Sequence, residues 1–387
     1  MKCASGTTRQ SITLCAVVYK YGDKIIKPNV LALAAGVLTC STALAQTNVQ
    51  LYGSIDGGLD YVNNAGGQSL KAVNAGKRSP DRFGFRGTED LGGGLNAFFK
   101  VETGFNSDLG TQANPTKLFN RYAQVGLSST RYGTLTLGHM PDFAYDYVGV
   151  LNNSVPGISW SYSPGNLDNL ANIFGMDNAV RYETPVMAGL QVGVMNGFGE
   201  DPTNFSRSRT YSVGFRYNNA ALKLAGSYSM FHNRTADLKS IFGVTNVLGQ
   251  NLATAQFNAD RFSTGVLGAS YQIGIFVPHA TVTQVKLENA RGEVIQRNLQ
   301  AGVNTDLSGG RKVRILGLSM AHSTFEAVTY NQYNAFLTQY LSPTVQIYCG
   351  AAHVRASGPG ARATAFGYTP SSGRTQTLTR AGVQVQF

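Results

Sequence analysis

The chain has 387 residues, of which only 14% are charged, well below the roughly 25% of ordinary globular proteins. Its 45 glycines exceed the usual share, and 43% hydrophobic residues, with 19 Tyr and 20 Phe, give enough apolar surface to exclude disorder. The formal charge of +11 fits nucleic acid, an anionic surface or anionic solutes as partners, so the distribution of that charge has to decide.

Residues 29–55 carry no charge, and their apolar run, Val30 to Leu38, follows Lys24 and Lys27. That run is too short to span a bilayer, for which a helix needs about 20 residues. A basic stretch, a short apolar stretch and Ala43-Leu44-Ala45 before Gln46 follow the order of a secretory signal peptide. Residues 1–45 are therefore expected to be cleaved after Ala45, with 1–28 an unusually long basic lead. Residues 46–387 keep a charge of +7, because the leader has five Lys or Arg and one Asp. Cys3, Cys15 and Cys40 leave with the leader. Cys349 then stands alone, which excludes an internal disulfide framework and a Cys-based metal site.

From residue 49 onward two-residue alternation dominates. Residues 49–61 place Leu51, Ile55, Leu59 and Tyr61 on one side and Tyr52, Asp56 and Asp60 on the other. Phe83 and Phe85 oppose Arg82 and Arg86, and Leu95, Ala97, Phe99 and Val101 oppose Lys100 and Glu102. The pattern recurs at 123–127, 134–138, 190–194, 211–217, 221–228 and 381–387, each predicted to be a strand with one apolar face. Short connections (90–94, 129–133, 185–189, 218–220, 341–344) read as hairpin turns. Long ones (63–77, 104–119, 140–178, 198–208, 232–260, 290–310) read as loops. Short turns at one end and long loops at the other predict a transmembrane β-barrel, and sixteen strands would use roughly 170 residues, leaving a similar number for connections. Closure is required, because an open sheet edge in hydrocarbon would leave N–H and C=O groups without partners. A soluble sandwich is disfavoured by the export signal and by Arg, Lys, Gln and Ser on the faces opposite the apolar ones.

The outward apolar phase places Arg82, Arg86, Lys100, Arg181, Arg216, Lys223 and Arg314 toward the interior, with Glu102 and Glu183 as acidic exceptions. Ionisable groups inside a membrane segment imply a hydrated lumen. Residues 140–178 form the longest loop, carrying Asp142, Asp146, Asp168 and Asp177, no Lys or Arg, and aromatic residues including Trp160. If this loop folds inward, its carboxylates face the basic wall and set up a transverse field at a constriction. An enzyme is the main competitor. The five histidines are scattered without HExxH spacing, there is no G-x-S-x-G or P-loop, and Gly92-x-Gly94-x-x-Ala97 lies in a strand-turn-strand context, so no catalytic, cofactor or metal site is expected. Nucleic-acid binding lacks a continuous basic motif. An adhesin barrel stays open at this point.

The segments NVQLYGSIDGGLDY, Arg82 to Phe105, Asn120 to Gly138, Asn178 to Pro185 and the terminal Phe387 resemble the β-proteobacterial type of Gram-negative general porin over nearly the whole mature chain. The resemblance implies an all-β, 16-stranded antiparallel barrel with long extracellular loops, short periplasmic turns and an infolded third loop. It also implies an outer-membrane homotrimer for passive diffusion of small hydrophilic solutes, and an alternating end at Phe387 that the barrel-insertion machinery reads. Arg121 matches a family arginine, although its parity is outward, so it is expected at the pore rim. Family members carry Arg where this chain has His139, and basic residues where it has Gln384 and Gln386. The expectation is therefore an open channel for ions and for small anionic and neutral solutes with a modest anion preference, with His139 able to make conductance depend on pH. The alternative is a substrate-selective channel of the same fold.

Overall fold

The computed structural model describes residues 48–151, 158–204 and 206–387, so the expected leader and its cleavage site lie outside the described residues. Strand β1 (Asn48–Ala65) is followed by β2, which runs in two segments, Gln68–Ala75 and Arg82–Gly92. Both segments pair with β1, Ala75 opposite Gly57 and Arg82 opposite Ser54, so they occupy one position in the sheet. The intervening residues 76–81 form a strap across the inner wall. Then come β3 (Leu95–Asn106), β4 (Tyr122–Ser129), β5 (Gly133–Met140), β6 (Met176–Glu183), β7 (Leu190–Gly197) and β8 (Thr210–Asn218). They are followed by β9 (Leu222–Ala236), β10 (Phe257–Tyr271), β11 (Phe276–Asn289), β12 (Gly292–Asp306), β13 (Arg314–Phe325), β14 (Val328–Tyr340), β15 (Val345–Ser357) and β16 (Thr375–Gln386).

Each strand pairs antiparallel with its neighbours, and β16 closes onto β1 from Ser54↔Gln386 to Val62↔Leu378. Closure extends to the last residue: Phe387 and Gly53 exchange both backbone hydrogen bonds, at 2.9 and 3.1 Å. The result is the expected closed 16-stranded antiparallel barrel, with no sheet edge left for lipid to meet. No helix among the described residues is long and apolar enough to cross a membrane.

Alternation decides the two faces. Leu51, Ile55, Leu59, Phe85, Val125, Leu137, Val194, Val213, Leu267, Val282, Leu318 and Ile347 are exposed outward, whereas Ser54, Asp56, Ser229, Thr283, Gln300 and Gln332 are buried on the inner wall. Tyr132, Tyr182 and Tyr271 mark the short-turn end, as aromatic girdles do at membrane interfaces.

Two predicted loops are strand instead. Pairing continues through 63–77 up to the turn at Gly66 and Gly67, whose φ values are +66° and +110°. Residues 290–310 are mostly β12, joined to β11 by a two-residue connection. Alternation failed there because Glu293, Gln296, Arg297, Asn298 and Gln300 make both faces polar.

The barrel's apolar core lies inside the cylinder. The third loop (L3, 141–175) enters through a five-residue π-helical turn, Ala144–Val148, and packs Phe143, Tyr147 and Trp160 at 1% exposure or less. The fifth loop adds a short helix, α1 (Leu238–Phe242), whose Phe242 stacks on Phe325 at 4.0 Å between centroids. The eighth loop buries Ala361, Ala363 and Ala365. Each buried ring contributes on the order of a few kcal/mol, so L3 is held against the wall by apolar contact as well as polar bonds.

Candidate functional site

Because L3 and the other infolded segments pack against the inner faces of β7–β15, the open space lies on the side of β1–β4. A cavity of about 920 Å³ runs there, bounded by the strap, by the tops of β3 and β4, and by Tyr145, Asp146, Gly149 and Val150 of L3. Among its charged lining residues, four cations (Lys77, Arg78, Arg82, Arg121) stand against two carboxylates (Asp81, Asp146).

One cluster organises the wall. Glu102, buried on β3, accepts from Arg121 Nε at 2.5 Å and lies 3.8 Å from Lys100 and 4.0 Å from Arg82. Tyr52 donates to its other oxygen at 2.8 Å. Lys100 also sits 3.2 Å from the Tyr122 ring centroid, and Arg86 hydrogen-bonds Gln50 beside the Tyr52 ring. Arg121 therefore faces inward although its parity is outward. It precedes β4, and its amide hydrogen-bonds the Glu102 carbonyl, so strand alternation does not govern it.

A second cluster lies under L3. Arg181 on β6 pairs with Asp146 and, at 3.1 Å, with Glu183, and stacks over Phe143 at 4.4 Å. Tyr147 donates to Glu183 at 2.6 Å, and Arg216 hydrogen-bonds Gln191 at 2.8 Å beside the Tyr147 ring. Lys223 keeps the inward phase of Ala225, Ser227 and Ser229, near the short-turn end.

Four expectations are corrected. Asp142 and Asp168 do not face the basic wall: both are buried and anchor L3 to the opposite side. Asp142 accepts from Ser229 Oγ at 2.7 Å and from Asn169 Nδ2 at 2.9 Å, and Asp168 accepts from Thr283 Oγ1 at 2.9 Å and from Ser163 at 3.0 Å. Burial pushes the Asp142 carboxyl up to about 6, and raises that of Asp168. Asp177 belongs to β6, half-exposed, where it holds Lys117 at 2.6 Å and His139 at 2.6 Å. A transverse field from the loop therefore reduces to Asp146, which already pairs with Arg181. His139 has both ring nitrogens turned to acceptors, Asp177 and the Asn120 carbonyl, and it does not line the cavity. Arg314 is on the outer face, in phase with Leu316, Leu318 and Met320, and bonds Gln339 at 2.8 Å. At the end of β13 its long side chain can reach the membrane interface.

The strap was not foreseen. Asp56, an inward residue of β1, accepts from the Arg78 amide at 2.8 Å, and its neighbour Asp81 caps the Asp56 amide at 2.7 Å. Fully buried Arg380 of β16 bridges Asp56 and Asp60 at 3.2 and 2.7 Å. These partners belong to strands joined only by barrel closure, so the visible signal was the two aspartates at inward positions of β1.

With this geometry in place, the Gram-negative porin family profile matches residues 32–359. An outer membrane porin protein of Bordetella pertussis is 34% identical over 232 residues, 52% of this chain and 59% of that protein, so the match spans less than two thirds of that relative. Outer membrane porin protein 32 of Delftia acidovorans is 30% identical over 306 residues, 75% of this chain and 79% of that protein. The solved anion-selective porin from Comamonas acidovorans superposes with a TM-score of 0.71 at 22% identity, covering 88% of this chain and 100% of its own. The trimer form of Vibrio cholerae OmpT gives 0.64 at 12% identity, covering 88% and 99%. Both likenesses concern the fold. The chain belongs to the Gram-negative porin family, as a multi-pass β-barrel of the outer membrane.

Proposed function

We propose that the barrel is a water-filled channel for passive diffusion of ions and small hydrophilic solutes, with a modest preference for anions. The observation that carries this reading is the lining of the opening, where four cations stand against two carboxylates. In a passage narrower than the Debye length of about 8 Å, such charges are incompletely screened, and an offset of about 1.4 kcal/mol between anion and cation gives tenfold discrimination. The anion-selective neighbour supports the sign of that preference.

The working form is a homotrimer, which the trimeric neighbour supports, with no catalytic role. Residues 1–45 act as the export leader, and Phe387, packed on Gly53 at the barrel seam, ends the strand that the insertion machinery reads. Vesicle swelling tests the reading: reconstituted protein should admit small neutral sugars and salts without saturation, with bilayer conductance rising in groups of three steps. Vesicles that stay impermeable would overturn it, and saturable uptake of one solute class alone would replace it with a substrate-selective channel.

A further inference from the structure

We infer that a second anion site, separate from the opening beside L3, lies at the long-loop end of β6–β9 and takes one small oxyanion through Arg234. In plain alternation Arg234 would lie opposite Phe231. Asn233, at φ +54°, breaks the alternation, and the Arg234 guanidinium comes to rest over Phe231 (5.0 Å), Phe262 (5.7 Å) and Phe174 (3.6 Å). A non-glycine residue in that left-handed region is strained backbone, which persists where the surroundings enforce it. The three rings meet edge to face, with interplanar angles of 79–90°, and are 8% exposed or less.

Stacking occupies the face of the guanidinium and leaves its in-plane N–H donors unused. Among the described residues Arg234 has no hydrogen-bond acceptor and no ion pair. Asp142 and Asp177 are within electrostatic range, but their oxygens are engaged by Ser229 and Asn169, and by Lys117 and His139. A cavity of about 380 Å³ opens beside it, lined also by Asn178, Ser208, Thr210, His232 and Asn233 and by the one carboxylate of Asp177, which Lys117 and His139 already neutralise. The Thr210 hydroxyl is buried there without a partner among the described residues. A planar donor fork, an orphan hydroxyl and amide groups around one space match a carboxylate or a phosphate. The guanidinium borders this open space, so its free donors can meet an anion that enters from the water.

The test is calorimetric titration of the detergent-solubilised full protein, in low-chloride buffer, with inorganic phosphate and with succinate. Saturable binding of one anion per chain is expected. It should weaken about tenfold or more in Arg234→Gln, be partly kept in Arg234→Lys, and fall in Thr210→Val, while Arg82→Gln, at the opening beside L3, leaves it unchanged. Binding of phosphate alone assigns a phosphoryl ligand, and of succinate alone a carboxylate. No saturable binding of either probe, or wild-type affinity in both Arg234→Gln and Thr210→Val, overturns the inference. If Arg234→Gln does not fold, Thr210→Val decides. Binding in detergent needs no conduction, so this result stands apart from that of the channel reading.

Discussion

Glu102 gathers Arg82, Lys100 and Arg121 around one buried carboxylate, so the cluster keeps an excess of positive charge. Glu102→Gln removes the only carboxylate of that group. The anion-to-cation permeability ratio should rise about threefold, from one uncompensated charge at pore distance. Heat unfolding should move down, because stripping one partner from a buried pair costs on the order of 3 kcal/mol. An unchanged ratio in a bilayer recording would contradict the cluster's role. Asp142 gives a pH dependence with a defined sign. Its folded value is raised from 3.8 to about 6, so its contribution to L3 docking is complete below the unfolded value and is lost as pH rises through about 6. The loss amounts to about 3 kcal/mol once the group is ionised. The unfolding midpoint should therefore fall between about pH 4 and about pH 7, and Asp142→Asn should flatten that fall; equal slopes in both proteins would refute it. At this scale the inward cations of β2, β3, β6 and β8 were legible, because alternation reads a straight strand. Arg121 and Asp177 were not, because they sit where strands begin and register no longer fixes direction; Arg314 follows the outward phase of Leu316 and Leu318, the opposite of the phase expected for it.

L3 docks because the inner wall leaves room for it. Gly193 on β7 and Gly214 on β8 lie under Phe143, and a Cβ at either would overlap that ring. Gly214→Leu should lift the π-helical turn off the wall, at an overpacking cost of about 1–3 kcal/mol, and alter single-channel conductance. Wild-type conductance with unchanged heat stability would remove L3 from the account. The length and acidity of L3 marked it as unusual in the sequence, and its infolding was foreseen. The purpose of its carboxylates was not. A buried anchor and a pore-facing charge look alike until the partner is known, and Ser229 and Thr283 come from strands more than eighty residues away. Strands β10 to β15 were poorly legible for a related reason: Gln284, Lys286, Arg297 and His322 make their outer faces polar toward the long-loop end, so the apolar beat fades.

For the whole molecule, the wet interior follows from closure. The cylinder turns its apolar residues outward, pairs every edge, and confines its buried charges to the inner wall, where most are matched by opposite charges and a small cationic excess faces the opening. On the proposed reading, that excess gives the channel its preference for anions. The most direct measurement is the zero-current potential of the purified protein in a planar bilayer under a KCl gradient, compared with a Lys77→Gln, Arg82→Gln double variant. The wild type should give a potential of the sign for chloride preference, and the variant one closer to zero. A potential of the opposite sign, or one identical in the two proteins, would contradict that reading.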